Sequence, residues 1–561
     1  MEKKFTDQFF WKFAGAAITT TVVSALCLIN LLVYRFVVFV ADSGSYLKSA
    51  SVIADGSFPS AFHRPPLFPL FLSFMTDFPN VWQSSVVYLN LTLITVALFS
   101  VSYFVIDHGF SIFSRTKHFN RFLVTALLTI ITTLFLSAAM GSIGPYVIRA
   151  TTESTYIAFL ISAILLISYG SNSSRSSLWV FWGSIVAGLS IWIRPSGVVL
   201  GVAFLLTAIA FYGNGSRKKG AAVFLPFLVL VLCLSAYNYV ISGQFTYSGF
   251  GAQNLLRGTI MLIENDDSYP PLLQKGIDNF NKTSGVEQDR QFMLDSWNLA
   301  VIAKNEREYS NPRFLKLVFG EWLEDERVSG KEKRLKFTAE YQRKMAKKNL
   351  ANNPYAYFKV SLGRFYYYFL DPGFVLYSVF GERSGFPNMG LDQLTYENII
   401  SYRTSKAFDK YPFADLEALR SDPRLFNSVR EHVLQAEENP LVMISVSNNG
   451  YVGKLNETWF WDVPTKFVGF LFFLLVPLAH WVMLGTGIVA LVTFACARKI
   501  RDEWFPPLFI ALCGCGLKGL LVLVANWNDR YLASDILLPI TTTLLILHIL
   551  LARFMKADRV G

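Results

Sequence analysis

Apolar stretches of about 20 residues, long enough to carry a helix across a bilayer, recur ten times along this chain. They fall at about 14–40, 84–106, 122–140, 152–169, 178–193, 196–212, 221–241, 467–496, 505–525 and 532–552. In lipid, every backbone polar group needs a partner inside the protein, so such stretches must be helices. Composition agrees: hydrophobic residues make up 53% and charged residues 16%, against roughly 25% charged in soluble chains. Fifty Phe, 25 Tyr and 12 Trp supply rings suited to the headgroup layers. The expected fold is an α-helical polytopic membrane protein with seven spans in 1–241 and three in 465–561. The first stretch follows Lys3 and Lys4. It is too long for a cleaved signal peptide, so it is expected to be retained as an anchor.

Charge orients the spans. With the N-terminus in the cytoplasm, 16 Lys and Arg fall in the cytoplasmic segments, among them Arg217, Lys218, Lys219, Arg498, Lys499 and Arg501. The short outer loops hold five: Lys48, Arg64, Arg149, Arg194 and Arg530. Positive charge on the inside is the expected bias, which leaves both termini cytoplasmic. Residues 242–464 then lie outside as one large loop, with 27 Lys+Arg and 28 Asp+Glu. The net charge of +11 therefore belongs to the cytoplasmic rims, and nucleic acid is not an expected partner. Cys27, Cys233, Cys496, Cys513 and Cys515 all sit in apolar stretches, which gives neither a disulfide framework nor zinc spacing.

Within the loop, helical stretches such as 331–350 are expected. The aromatic run at 354–380 is expected to lie at the outer interface, because Lys359, Arg364 and Asp371 oppose a span there. Asn281-Lys282-Thr283 and Asn456-Glu457-Thr458 read as glycosylation sequons of a kind that arises often by chance. Residues 247–251, followed by Asn254, read as a lip or a plain linker.

Polar residues collect at the outer ends of several spans. Asp42-Ser43-Gly44-Ser45-Tyr46 follows the first; a helix would put Asp42 and Tyr46 on one face, and Asp42 or Ser43 also suits an N-cap. In His63-Arg64-Pro65-Pro66 the prolines stiffen a turn, with Arg64 at a site or snorkelling to headgroups. Arg149 and Glu153 are four apart, a site pair or an intrahelical salt bridge. Arg194-Pro195 offers an interface anchor or an anion ligand. Asp529-Arg530-Tyr531 precedes the last span, and Lys518 lies inside the ninth. Arginine binds phosphate through paired donors, and a nearby carboxylate accepts a proton from an attacking hydroxyl. The set suits the anionic headgroup of a membrane lipid.

Asp42-Ser43-Gly44-Ser45-Tyr46-Leu47, Ala54-Asp55-Gly56 and Arg64-Pro65-Pro66-Leu67-Phe68-Pro69-Leu70 resemble the first outer loop of type-C (GT-C) membrane glycosyltransferases. The nearest branch is the protein-mannosyltransferase and aminoarabinose-transferase-like group. Thr152-Glu153, Arg194-Pro195 and Asp529-Arg530-Tyr531, with Pro539 beyond, follow in the family's order. The resemblance implies a GT-C-like bundle with a catalytic first outer loop at 41–83. It also implies an inverting glycosyl transfer, on the extracytoplasmic side, from a polyprenyl-phosphate sugar donor to a glycan, glycolipid or protein acceptor. By analogy Asp42 is the general base, and Glu153 orients an arginine or the donor sugar. Arg149 and Arg194 would hold the lipid phosphate, with Arg530 and Lys518 completing its site. Tyr46, His63, Arg64, Asp529 and Tyr531 would line the substrate. The family's metal-dependent oligosaccharyl branch carries Asp-x-Asp in this loop. Here position 44 is Gly, so no obligatory metal or other cofactor is expected. Asp266-Asp267 reads as a place for a divalent ion or as a solvated turn.

Other functions predict other patterns. A ligase or polymerase of lipid-linked glycans would use the same outward arginines. A flippase needs charges along a path through the spans, and a secondary transporter needs paired unwound helices in two related halves. A receptor would leave the clustered acid and arginines without a purpose. The expected location is the bacterial inner membrane.

Overall fold

The computed structural model describes residues 2–33, 43–57, 64–76, 82–114, 120–147, 152–172, 175–248, 251–283, 285–299, 301–302, 309, 312–324, 331–366, 369, 459–496, 500–524 and 536–557. The described residues are helical, with no strand among them. In chain order the long apolar part comprises α1 (Glu2–Val33), α2 (Ser43–Ala54), α3 (Leu67–Thr76), α4 (Trp82–Phe113), α5 (Arg121–Val147), α6 (Glu153–Gly170), α7 (Ser177–Ile193), α8 (Leu200–Gly213) and α9 (Arg217–Ser242). A polar set follows: α10 (Gly251–Arg257), α11 (Pro271–Asn281), α12 (Val286–Asp295), α13 (Pro312–Glu324), α14 (Lys331–Asn352) and α15 (Pro354–Phe365). The chain closes with α16 (Trp459–Ala495), α17 (Phe505–Val524) and α18 (Leu537–Ala557).

Among the described residues, seven helical stretches are long and apolar enough to cross a bilayer. They lie in α4, α5, α6, the turn leading into α8 together with α8, α9, α16 and α18. This is the architecture of a helical multi-pass membrane protein. Of the expected first span, 14–33 lies in α1 and 34–40 lies outside the described residues, while the fifth and ninth are shorter apolar helices, Ser177–Ile193 and Phe505–Leu520. At 1.5 Å per residue, α7 spans only about 26 Å. It stops because Pro195 cannot continue it: Arg194 is extended (φ −149°, ψ 119°), as a residue before proline tends to be. A 3-10 turn, Pro195–Val199, then leads into α8.

The helices pack closely through small residues. A Cβ on Gly183 of α7 would lie 2.9 Å from the Ala163 carbonyl of α6, so glycine there permits the approach of two backbones. Pro226 stands inside α9 and removes one rung of its hydrogen-bond ladder. Buried Ser184 of α7 steps in beside it: its hydroxyl donates to the Val223 carbonyl (2.9 Å) and accepts from the Phe227 N–H (3.1 Å). A single hydroxyl thus covers the disturbed step, as lipid surroundings demand.

Helices α10 to α15 form a cap around a second apolar core that includes Leu256, Ile277, Phe280, Phe319, Trp322 and Met345. Where α11 meets α13, a methyl on Gly276 would run into the Val318 backbone. Asp266 pairs with Lys348 and accepts the Ser268 N–H at 2.7 Å. These bonds hold its carboxyl well below the usual carboxylate range. The connection to the cap is tied down as well, since the Asn238 amide donates to the Thr246 carbonyl (2.6 Å).

Helix α15 covers the first part of the 354–380 run, of which 367–368 and 370–380 lie outside the described residues. Its two charges point into the protein: Lys359 and Arg364 are buried, whereas Tyr355 and Phe358 are 57% and 54% exposed. Carbonyl partners inside the protein are the reason, since the Lys359 Nζ donates to Leu294 O at 2.6 Å.

Candidate functional site

The first-loop residues and two later elements meet at one end of the bundle. Ser45 and Tyr46 lie in the opening turn of α2, and Arg64 precedes the prolines that start α3. Helices α2 and α3 pack on each other, and α3 packs on α4 and α7. Arg64 Nε donates to Ser45 Oγ (2.7 Å), and its Nη1 lies 3.5 Å from the Tyr46 hydroxyl. The guanidinium sits 4.6 Å above the Tyr46 ring, a cation–π arrangement. Phe68 of α3 meets the same ring edge-on at 5.3 Å.

Buried Tyr46 carries the contact onward: its hydroxyl is 3.4 Å from Thr152 Oγ1, at the start of α6. Glu153 follows in the first turn, where the helix dipole favours an acid. Its carboxylate is 1% exposed and lies 3.3 Å from Arg194 Nη1, at the end of α7. The Arg194 guanidinium also lies 5.8 Å from the Tyr156 ring. Gly197, in the 3-10 turn, leaves room here, since a Cβ on it would stand 2.9 Å from Ser190 Oγ and 3.6 Å from Tyr156. A buried ion pair gains little net stability over apolar packing. Two guanidiniums and a carboxylate thus lie around the start of α6.

The structure therefore brings together Tyr46, Arg64, Glu153 and Arg194 of the expected set. Lys518 is fully buried on α17, the helix that packs on α6 and on the Pro195–Val199 turn. His480 of α16 is its electrostatic neighbour. Asp42, His63, Arg149, Asp529, Arg530 and Tyr531 lie outside the described residues. The sequence alternative of a salt bridge between Arg149 and Glu153 gains a rival in the described partner of Glu153, which is Arg194 from another helix. Tyr156 and His480 escaped the sequence reading. Tyr156 is detectable as the i+3 neighbour of Glu153; His480 has no such signal, because its role depends on α16 lying against α17.

Among the described residues, no group of three or more His, Cys, Asp or Glu gathers as a metal would need. Asp266, half of the alternative ion site, is engaged by Lys348 and Ser268. Comparison with protein-family models and with curated proteins finds no match for this chain.

Proposed function

We propose that the protein is an integral membrane glycosyltransferase that moves a sugar from a polyprenyl-phosphate-linked donor to an acceptor on the extracytoplasmic side. The observation that carries this reading is the buried Glu153–Arg194 pair next to the Arg64–Tyr46 pair. Residues from three separated stretches meet at one end of a membrane bundle, two of them supplying phosphate-matching guanidiniums, Arg64 and Arg194, and the third the Glu153 carboxylate. In the reaction, the acceptor hydroxyl attacks the anomeric carbon and passes its proton to Asp42. The bond from that carbon to the phosphate oxygen breaks, and its electron pair leaves with the polyprenyl phosphate. Arg194, aimed by Glu153, holds that oxygen's developing charge, joined by Arg149, Arg530 and Lys518. Such preorganised charge is usually the largest catalytic contribution. One displacement inverts the anomeric centre.

The same reading has ten spans, both termini in the cytoplasm of a bacterial inner membrane, and residues 242–464 outside. The outward aromatics of α15 then rest in the outer headgroup layer, where rings of this kind are favoured. Purified protein in nanodiscs, given a panel of polyprenyl-phosphate sugars with glycan, glycolipid and peptide acceptors, should release polyprenyl phosphate from one donor. Absence of both binding and release across the panel would sink the reading.

A further inference from the structure

The last four carbonyls of a helix have no partners within it, and at the end of a membrane helix water does not freely supply them. At the end of α17 two of these carbonyls are met by one helix of the cap. Arg364 of α15, fully buried, donates from Nη1 to the Val522 carbonyl (2.8 Å), with the Leu523 carbonyl at 3.4 Å. Its Nη2 donates to the Gly258 carbonyl (2.6 Å), directly after α10. One planar fork thus bridges the C-terminal ends of two helices, where the dipole favours a cation. The Tyr357 hydroxyl, on the same face of α15, donates to the Leu523 carbonyl.

The clamped helix also reaches the candidate site. Gly516 stands against the turn that follows Arg194; a Cβ on it would lie 3.4 Å from Val199. Lys518 is two residues further along, and Val522 one helical turn beyond that. A stretch of seven residues therefore packs on the turn, presents the buried cation and is gripped by the cap.

We propose that Arg364 and Tyr357 are positioning residues: through Val522 and Leu523 they let the cap set the depth and rotation of α17, and so both the fit of Gly516 against the Arg194 turn and the place of buried Lys518. The Arg194 turn and the cap then move as one mechanical unit. Only the kinetic part of this proposal rests on the glycosyl-transfer reading.

The test uses the full chain in nanodiscs, as Tyr357→Phe and Arg364→Lys. The first deletes one hydroxyl; the second keeps the charge but loses the fork that spans both helix ends. Amide exchange across 517–524 should quicken by roughly fivefold in Tyr357→Phe, the loss of about one hydrogen bond, and further in Arg364→Lys. Peptides of the cap core, 273–280 and 314–322, should exchange as in wild type. With a productive donor, kcat should fall by a similar factor while KM stays within about twofold, because Lys518 serves charge that develops on the leaving group. Unchanged exchange at 517–524 in both variants would overturn the proposal. So would quickening that extends through the cap core, since the two residues would then serve only the cap's own fold. If wild type turns over no donor, the glycosyl-transfer reading falls, and exchange at 517–524 alone decides the coupling.

Discussion

At the scale of residues, Glu153 and Arg194 matter most. Each was legible as a polar residue at a span end, but their pairing was not: the sequence offered Glu153 a helical neighbour at i−4, which lies outside the described residues, and the packing of α6 on α7 brings Arg194 to it. Replacing Glu153 by Gln removes a carboxylate that faces the buried Arg194 guanidinium. That should cost about 3 kcal/mol, read as a lower unfolding temperature in detergent. Arg194→Lys keeps the charge but gives up paired donation. It should leave the unfolding temperature nearer to wild type and weaken donor affinity about tenfold. Equal stability loss in both variants would make the pair merely structural. Asp266 gives a prediction in pH. Its carboxyl titrates lower in the folded chain than in the unfolded one, so its contribution to stability is present above the unfolded value of roughly 3.9. It is lost as pH falls below that value. Amide exchange in α11 and α14 should therefore quicken below about pH 4, and Asp266→Asn should flatten that dependence.

Among elements, hydropathy made the long helices legible, because a helix in lipid needs only apolar length. The repairs to those helices were not legible. Pro226 announces a disturbed ladder, but nothing in the sequence says that Ser184, on a different helix, will mend it. Ser184→Ala should destabilise the α7–α9 contact by about 1–3 kcal/mol, seen as faster amide exchange near Phe227; no change would mean that the step is satisfied without the hydroxyl. Helix α15 teaches a related lesson. Its Lys359 and Arg364 read as reasons to keep it near water, yet carbonyls at Leu294, Gly258 and Val522 receive them inside the protein. Composition shows the charge, and only the fold shows its partners.

For the molecule as a whole, the segregation of charge divided the chain into a membrane part and a polar loop segment, and the described helices follow that division, with the apolar clusters of the bundle separate from that of the loop segment. Sidedness rests on the charge of the rims. In a cysteine-free background, Lys218→Cys should react with an impermeant maleimide only from the cytoplasmic face, and Asp267→Cys only from the outer face. Reaction of both from one side would refute the threading. What no pattern in the sequence could supply is how distant turns converge, since Tyr46, Thr152 and Arg194 meet only after the bundle forms.

The most direct test of the central claim separates binding from chemistry at one residue. Wild type and Asp42→Asn would be compared with the same polyprenyl-phosphate sugar, measuring donor binding and polyprenyl phosphate release with acceptor present. The account predicts that both proteins bind the donor alike and that release falls by a factor of at least about 100 in Asp42→Asn, the lower end of what a general base contributes. Release by Asp42→Asn at the wild-type rate would contradict it.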